Sequence, residues 1–252
     1  MTVSKATLAA SFNAVAADYA ATRPGYPAAL YDAVEELAGR PLHGADVLDV
    51  GAGTGIGTAP MLARGAQVTA AEPGPGMAAQ LRAQLPDVPV VRGSGDALPF
   101  TADSFDLVTC AQAWHWTDPA RSVPEALRVL RPGGALALWW NVPDGSVDWI
   151  AAQERRLQRQ WRQDDVTERA GTLIQDIAPS LSPHCRELRW SRTVPLDTHL
   201  ASLATHSYIA TLPADRAAAL IEAERAALRD VFGDGPVTEP YVVRLTAVRT
   251  PA

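Results

Sequence analysis

A regular alternation of short apolar runs and helical segments between residues 45 and 141 constrains the fold more than any other feature. Five apolar runs occur there, and the segments between them have helical character. The runs are DVLDV (46–50), QVTAAE (67–72), VPVVRG (88–93), FDLVTCAQ (105–112) and GALALWW (134–140). Short apolar strands with intervening helices are typical of a parallel sheet covered on both faces, so the pattern predicts an α/β protein.

The pattern changes after Asn141, and two late strands are predicted in the remainder of the chain. They are ELRWSRTVPL (187–196) and PYVVRLTAVR (240–249). Helices are predicted between them, around residues 198–211 and 215–231. Nearer the middle of the chain, Ser122 and Glu125 have the spacing of a capping box at the start of a helix.

No repeat, low-complexity tract or linker divides the chain, so residues 1–252 are predicted to form a single domain. Residues 1–40 have helical patterning, and we interpret them as an N-terminal helical lid. Residues 142–188 contain the charged amphipathic segment WIAAQERRLQRQW and no convincing strand. We interpret this stretch as a helical cap insertion near the carboxyl ends of the strands, over the active site.

Composition narrows the classes of partner. The formal net charge of -6 and the single lysine disfavour a nucleic-acid partner, which usually requires a basic patch. The two cysteines form neither a CxxC pair nor a metal cluster, so free thiols in a reducing compartment and no bound metal are expected. No apolar run approaches the roughly 18 residues of a membrane span, and the N-terminus has polar residues where a signal peptide requires an apolar stretch. We therefore expect a cytoplasmic enzyme that does not bind membranes. The sequence does not distinguish a monomer from a homodimer.

A glycine-rich segment follows the first predicted strand and indicates a ligand-binding turn. Gly51, Gly53 and Gly55 alternate with other residues after Asp49. A dinucleotide fingerprint requires a glycine at the sixth position, where this chain has Ile56, and no lysine follows as in a phosphate-binding P-loop. The turn is therefore predicted to leave backbone N–H groups facing a ligand that need not be a phosphate.

Two acidic residues follow later strands and indicate what that ligand is. Glu72 ends the second strand, where a carboxylate can accept the hydroxyls of a ribose. Asp96, in the segment GDALPF, is placed to accept a hydrogen bond from an adenine amino group. A glycine turn and these two acids at successive strand ends predict an adenosine whose tail is not a pyrophosphate.

At this point the chain resembles a known family. VLDVGAGTGIGT, AAEPGPGM, GDALPFTADSFDLVTCAQAWHW and ALRVLRPGGALALWWN resemble, in this order, the motifs of class I S-adenosylmethionine-dependent methyltransferases of the branch called type 11. The resemblance covers residues 12–141 and is specific for cofactor and fold. It implies a Rossmann-like, mostly parallel seven-stranded sheet with helices on both faces and the last strand antiparallel. It says little about the acceptor, because this branch methylates many small molecules.

The resemblance also implies the residues that bind S-adenosylmethionine. Arg23 is expected to pair with the cofactor carboxylate. The implied contacts are Asp49, Gly51, Gly53 and Gly55 for the methionine part, Glu72 for the ribose, Pro73, Met77, Asp96 and Ala97 for the adenine, Ala111 and Gln112 beneath the cofactor, and Tyr19, Arg23 and Tyr26 closing over it.

The segment AWHWTDP supplies the candidate acceptor site. Trp114 and Trp116 are predicted to bind the acceptor, although simple packing is an alternative for at least one of them. His115 is the candidate general base, with an orienting role as the alternative. Asn141 and Tyr208 are further candidate acceptor contacts.

The sequence therefore predicts a methyltransferase that acts on a small-molecule acceptor by in-line transfer from S-adenosylmethionine. Two alternatives stay open. One is an NAD-dependent oxidoreductase on a similar sheet, and the other is a non-catalytic protein that binds S-adenosylmethionine.

Overall fold

The structure is a computed structural model that describes residues 5–157 and 166–251. The described residues divide into two compact units. The core unit comprises residues 25–141, 166–188 and 243–251, and the accessory unit comprises residues 5–24, 142–157 and 189–242. The prediction of a single domain with a lid at 1–40 and a cap at 142–188 stays a prediction. Residues 1–4 and 158–165 of those two segments lie outside the described residues.

A seven-stranded sheet organises the fold, in the order β3-β2-β1-β4-β5-β7-β6. The pairs formed by the first five strands are parallel, and the last strands are antiparallel. The predicted fold class is therefore confirmed. The strands are β1 (Asp46–Val50), β2 (Gln67–Ala71), β3 (Val90–Val91), β4 (Phe105–Ala111), β5 (Leu130–Pro143), β6 (His184–Val194) and β7 (Val237–Arg249).

Eleven helices are described, together with a short 3-10 helix at Trp114–Trp116. In the core unit α6 packs against α8, whereas in the accessory unit α9 contacts α2, α10 and α11. The helices are α1 (Lys5–Ser11), α2 (Ala16–Thr22), α3 (Ala28–Ala38), α4 (Thr58–Ala63), α5 (Pro75–Gln84), α6 (Pro119–Val129), α7 (Asp148–Leu157), α8 (Val166–Ile177), α9 (Leu196–Ala204), α10 (Ser207–Ala210) and α11 (Ala214–Phe232).

The predicted helix at 198–211 is two helices, α9 and α10. The break has a local cause, because Thr205 Oγ1 donates to the carbonyl oxygen of Ser202 at 2.7 Å. His206 Nδ1 lies 2.9 Å from the carbonyl oxygen of Leu203. These side chains occupy carbonyl groups that a continuing helix would bond to its own backbone, so α9 ends at Ala204.

The predicted capping box at Ser122 and Glu125 is wrong. Helix α6 begins three residues earlier at Pro119, and its N-cap is Asp118, whose carboxylate accepts from the amide of Ala120 at 3.1 Å. Ser122 is instead buried within the helix, where its hydroxyl accepts from Trp114 Nε1 at 3.0 Å. The serine therefore fixes an indole ring of the core rather than a helix end.

The first testable prediction concerns this buried hydrogen bond. Ser122→Ala leaves the Trp114 indole N–H without its acceptor, which should lower the free energy of unfolding by about 1–3 kcal/mol. Urea denaturation measures the loss. The exposed Ser182→Ala should change stability by less than about 0.5 kcal/mol and serves as the matched control.

A Trp114→Phe protein tests whether the indole N–H is the source of this loss of stability. In a Trp114→Phe protein no indole N–H exists, so the same Ser122→Ala change should cost less than it does in the native chain. An equal cost in both backgrounds would show that the hydrogen bond to Trp114 is not the source of the loss.

Candidate functional site

The glycine turn lies between β1 and α4 and has a conformation that requires glycine. Gly51, Gly53 and Gly55 have φ angles of 67°, 59° and 93°. These values lie in the left-handed region, where a side chain clashes with its own backbone. The local sequence thus forces the chain away from the sheet within a few residues of the end of β1.

The three glycines face different surroundings. A Cβ atom at Gly51 would overlap the Cβ of Ala113, and one at Gly55 would lie 2.9 Å from Leu85 Cδ1. At Gly53, by contrast, the nearest atom would be Met77 Cε at 3.7 Å. Gly51 and Gly55 therefore allow the turn to pack closely against the protein, whereas Gly53 leaves space that a ligand can occupy beside the backbone.

Glu72 follows β2, as predicted, and its carboxylate joins the glycine turn to the start of α5. Oε2 accepts from the amide of Gly53 at 2.9 Å, and Oε1 accepts from the amide of Gly74 at 2.6 Å. The residue is 6% exposed, and burial raises the pKa of its carboxyl group. A carboxylate accepts about four hydrogen bonds, so Glu72 retains capacity for the two hydroxyls of a ribose.

Asp49 is more deeply buried and is held by two hydroxyl groups. Thr58 Oγ1 donates to Oδ2 at 2.7 Å, and Thr109 Oγ1 donates to Oδ1 at 3.0 Å. The register of β1 with β4 pairs Asp49 with Thr109 directly. Burial is the main cause that raises the pKa of Asp49 to about 6, and the neighbouring charge of Glu72 adds to the shift. The hydroxyl of Thr109, between Val108 and Cys110 in β4, is the sequence signal that could have indicated this arrangement.

The residues predicted to surround adenine have different environments. Met77 is buried on α5, whereas Pro73 is exposed and its carbonyl oxygen accepts from Arg92. Asp96 Oδ1 accepts from the amide of Asp118 at 2.8 Å, which ties it to the start of α6. The amide of Ala97 donates to the carbonyl oxygen of Ser94. The adenine contacts therefore stay predictions, and the last two groups already make local bonds.

The end of β4 adjoins Gln112, which has a φ of 55° although it is not a glycine. Its side-chain Nε2 donates to the carbonyl oxygen of Asn141 at 2.9 Å. Asn141 is buried within β5, and its Nδ2 lies 3.4 Å from the carbonyl oxygen of Gly25. Strained backbone of this kind persists where surrounding bonds fix it, and it is common at binding sites. Ala111 and Gln112 thus lie at the same edge of the sheet as the glycine turn.

The aromatic segment after β4 divides between packing and the candidate site. Trp114 is 3% exposed, and its indole contacts Trp140 with ring centroids 6.3 Å apart, so the packing alternative fits this residue. Trp116 is half-buried, with its ring 4.6 Å from that of His115. Of the two tryptophans, Trp116 is the one that stays accessible to an acceptor.

The hydrogen bond made by His115 bears on its predicted role as a base. Trp140 Nε1 donates to His115 Nδ1 at 3.3 Å. A neutral imidazole has one nitrogen that accepts and one that carries hydrogen, so this bond assigns the proton to Nε2. In this arrangement His115 carries its hydrogen on Nε2, and its Nδ1 already accepts a hydrogen bond. The geometry therefore favours the orienting alternative over the general base.

Three predicted site residues, Tyr19, Arg23 and Tyr208, belong to the accessory unit. The Arg23 guanidinium carbon lies 4.8 Å from the centroid of the Tyr19 ring. Arg23 also contacts His206, whose ring centroid is 5.4 Å from that of Tyr208. The three predicted residues thus form one cluster with His206, a residue that the sequence indicates, like Tyr208, either as part of the cap lining or as a structural residue.

Three buried side-chain polar atoms of the core unit have no hydrogen-bond partner in the described structure. They are Arg40 Nε, Thr54 Oγ1, in the glycine turn, and Trp139 Nε1, on β5. Trp139 packs edge-on against Tyr26 and Tyr31. An unpaired buried hydroxyl within the turn is a group that a bound ligand can satisfy. Together with the space at Gly53 and the capacity of Glu72, it fits the predicted cofactor.

Within residues 5–157 and 166–251, no group of three or more histidine, cysteine, aspartate or glutamate side chains could hold a metal ion. No helix in the described part of the chain is long and apolar enough to cross a membrane.

Comparison with known proteins identifies relatives that share this architecture. Residues 48–138 match a family model described as a methyltransferase domain. An uncharacterized methyltransferase of Mycobacterium tuberculosis is 36% identical over 214 residues, which is 85% of this chain and 84% of that protein.

Solved structures give the same fold. A putative type II methyltransferase from Anaeromyxobacter dehalogenans superposes with a TM-score of 0.72 at 27% identity, covering 91% of this chain and 99% of that one. A phosphoethanolamine N-methyltransferase of Haemonchus contortus in complex with S-adenosyl-L-methionine shares the fold at 16% identity, with a TM-score of 0.58, over all of this chain and 61% of that one. The chain therefore belongs to the S-adenosylmethionine-dependent methyltransferases.

Proposed function

We propose that this protein transfers the methyl group of S-adenosylmethionine to a small-molecule acceptor by in-line displacement. The observation that carries the proposal is the edge of the sheet at β1 and β2. There Gly53 leaves space beside its backbone, and Glu72 is bonded to the same turn with acceptor capacity to spare. This combination suits a ribose held next to a tail that runs close to the chain.

The residues assigned to the cofactor follow from this edge. Glu72 binds the ribose hydroxyls, and the backbone at Gly53 and the hydroxyl of Thr54 face the methionine part. Asp49 supplies negative charge from beneath the turn, where it is held by the hydroxyls of Thr58 and Thr109. Its charge complements the positive charge of the sulfonium cofactor.

Methyl transfer from a sulfonium depends more on the alignment of acceptor and cofactor than on acid–base catalysis. Bound S-adenosylmethionine would supply a methyl group activated by the sulfonium charge, with the bond to the acceptor forming as the carbon–sulfur bond breaks and S-adenosylhomocysteine leaving. The protein then has to orient the acceptor and exclude water. We assign Trp116 to the acceptor pocket and His115 to orienting the acceptor through its Nε2 hydrogen. Asn141 and Tyr208 remain candidate acceptor contacts.

Charge and cysteine chemistry support the small-molecule proposal. The net charge of -6 disfavours a nucleic acid as the acceptor. The described cysteines, Cys110 and Cys185, are both free thiols, which favours a reducing compartment such as the cytoplasm.

Two experiments test the function directly. Calorimetry should detect binding of S-adenosylmethionine and none of NAD, which separates the methyltransferase from the oxidoreductase alternative. Transfer of labelled methyl groups to a metabolite extract should then occur. Cofactor binding with no transfer to any metabolite would favour a non-catalytic binding protein and overturn the proposal.

Glu72 provides the second testable prediction. Glu72→Ala removes charge-assisted hydrogen bonds to the ribose, so binding of S-adenosylhomocysteine should weaken by about 1.5–3 kcal/mol in calorimetry. The exposed Asp87→Ala, which also removes one negative charge, should leave the affinity unchanged. An unaltered dissociation constant in Glu72→Ala would remove Glu72 from the site.

The third prediction is that removing the charge of Asp49 raises the stability of the protein and lowers its affinity for the cofactor. The folded-state pKa of about 6 exceeds the ordinary value of 3.8, so the native state favours the protonated form. That contribution to stability is complete below pH 3.8 and is lost as the pH rises through 6. Asn cannot ionise, so the stability of Asp49→Asn relative to the native protein should rise by about 2 kcal/mol between pH 4 and pH 8.

The same variant should bind S-adenosylmethionine more weakly at pH 8, because it lacks the negative charge. Urea denaturation at the two pH values and calorimetry at pH 8 measure both effects. Unchanged relative stability would show that Asp49 titrates normally, and unchanged affinity would place it away from the cofactor.

The fourth prediction separates the two roles of His115. A glutamine can accept from the Trp140 indole and still donate a hydrogen bond, but it cannot act as a base. His115→Gln should therefore keep turnover within about tenfold of the native enzyme, whereas loss of a general base costs roughly 10²–10⁴-fold. His115→Phe, which can do neither, should be slower than His115→Gln. A loss of 10²-fold or more in His115→Gln would reinstate the base.

A further inference from the structure

We propose that Thr205 and His206 are positioning residues that hold the guanidinium of Arg23 as a binding group for a carboxylate. The inference rests on the proposed function, because the carboxylate belongs to S-adenosylmethionine or to the methyl acceptor. All the residues that carry it lie in the accessory unit.

The end of α9 prepares two hydrogen-bond acceptors. Thr205 uses its hydroxyl hydrogen on the carbonyl oxygen of Ser202 at 2.7 Å, which leaves its oxygen lone pairs for another donor. His206 Nδ1 lies 2.9 Å from the carbonyl oxygen of Leu203, so this nitrogen carries the hydrogen and Nε2 accepts. Both side chains are thus fixed by the last turn of the helix.

Arg23 donates to both of these acceptors. Its Nε lies 2.8 Å from Thr205 Oγ1, and its Nη1 lies 3.2 Å from His206 Nε2. Burial and the nearby Arg23 charge lower the pKa of His206 far below its ordinary value, so the imidazole stays neutral and keeps its accepting nitrogen. The Tyr19 ring lies against the guanidinium. Three contacts therefore fix the orientation of one side chain.

The positive charge of Arg23 has no negative partner among the described residues. Two other half-buried arginines of the accessory unit show the usual arrangement, since Arg192 pairs with Glu239 and Arg225 pairs with Asp197. The partners of Arg23 are neutral, and only two of its five N–H groups are bonded to them. A partly buried charge is normally paired, so the arrangement suits an anion supplied from outside the chain.

The geometry favours a carboxylate for this anion. A guanidinium presents adjacent N–H groups in a planar fork that matches the two oxygens of a carboxylate. Because Thr205, His206 and Tyr19 fix the fork in advance, little side-chain freedom is lost when the anion binds.

The test compares ligands with and without a carboxylate. In calorimetry, Arg23→Gln should lower the affinity for S-adenosylhomocysteine by about tenfold or more. The affinity for 5′-methylthioadenosine, which lacks the amino-acid part, should stay unchanged. That result assigns the carboxylate to the cofactor. If S-adenosylhomocysteine binds normally, its complex is titrated with acetate, succinate and benzoate. If one of these carboxylates binds to the native complex and not to the Arg23→Gln complex, the carboxylate is assigned to the acceptor.

The positioning role has its own variants. His206→Phe should lower the affinity for the same carboxylate ligand. His206→Gln, whose amide oxygen can accept from Arg23, should keep most of the native affinity. Neither should affect 5′-methylthioadenosine, a discrimination that general damage to the fold would not produce. Arg225→Gln breaks the ion pair between α11 and Asp197 at the start of α9 and is the matched control, with no expected change in any affinity.

Two results would overturn the inference. Equal affinities of native and Arg23→Gln proteins for every ligand would reduce Arg23 to a cap of α9. An equal loss in His206→Phe and His206→Gln, or a loss that extends to 5′-methylthioadenosine, would remove His206 as a positioning residue. Failure of the native protein to bind S-adenosylhomocysteine would instead refute the proposed function.

Discussion

The carboxylate of Asp49 is 1% exposed and lies between β4 and α4. The packing at the edge of the sheet that carries the glycine turn depends on how this charge is held. Hydroxyl groups from Thr109 and Thr58 donate to its two oxygens and so connect β1 to the next strand and to the helix after the turn. Glu72 connects the same turn to α5 through two backbone amides. These two carboxylates replace the contacts that an apolar core would otherwise make at the end of the sheet.

The arrangement has a measurable cost in stability. Burial raises the pKa of both carboxyl groups, and each is further affected by its surroundings, with the charge of Glu72 raising the pKa of Asp49. An apolar packing of the same volume would avoid this penalty. Acids retained in such a position are typical of sites where function requires the charge, which is why stability and binding are expected to oppose each other at Asp49.

Much of the core unit could be predicted from the sequence because its strands are buried on both faces. The run DVLDV coincides with β1, and Glu72 follows β2 where the carboxyl edge was expected. Specific side-chain contacts determine the features that the sequence did not predict. Ser122 has capping-box spacing, yet the helix starts earlier and the serine accepts a hydrogen bond from the indole of Trp114, eight residues before it. The break between α9 and α10 depends on side-chain bonds to carbonyl groups, which helical periodicity does not report.

Among the described residues, each unit holds charged side chains whose hydrogen-bond partners are neutral groups. Asp49 and Glu72 in the core unit accept from hydroxyl and amide groups, and Arg23 in the accessory unit donates to a hydroxyl and a neutral imidazole. S-adenosylmethionine carries positive charge on its sulfonium and amino groups and negative charge on its carboxylate. A ligand that supplies both signs stabilises whichever of these groups it reaches, because binding to the folded state alone shifts the folding equilibrium. Charged groups whose partners in the folded chain are neutral are thus groups that a charged substrate can stabilise.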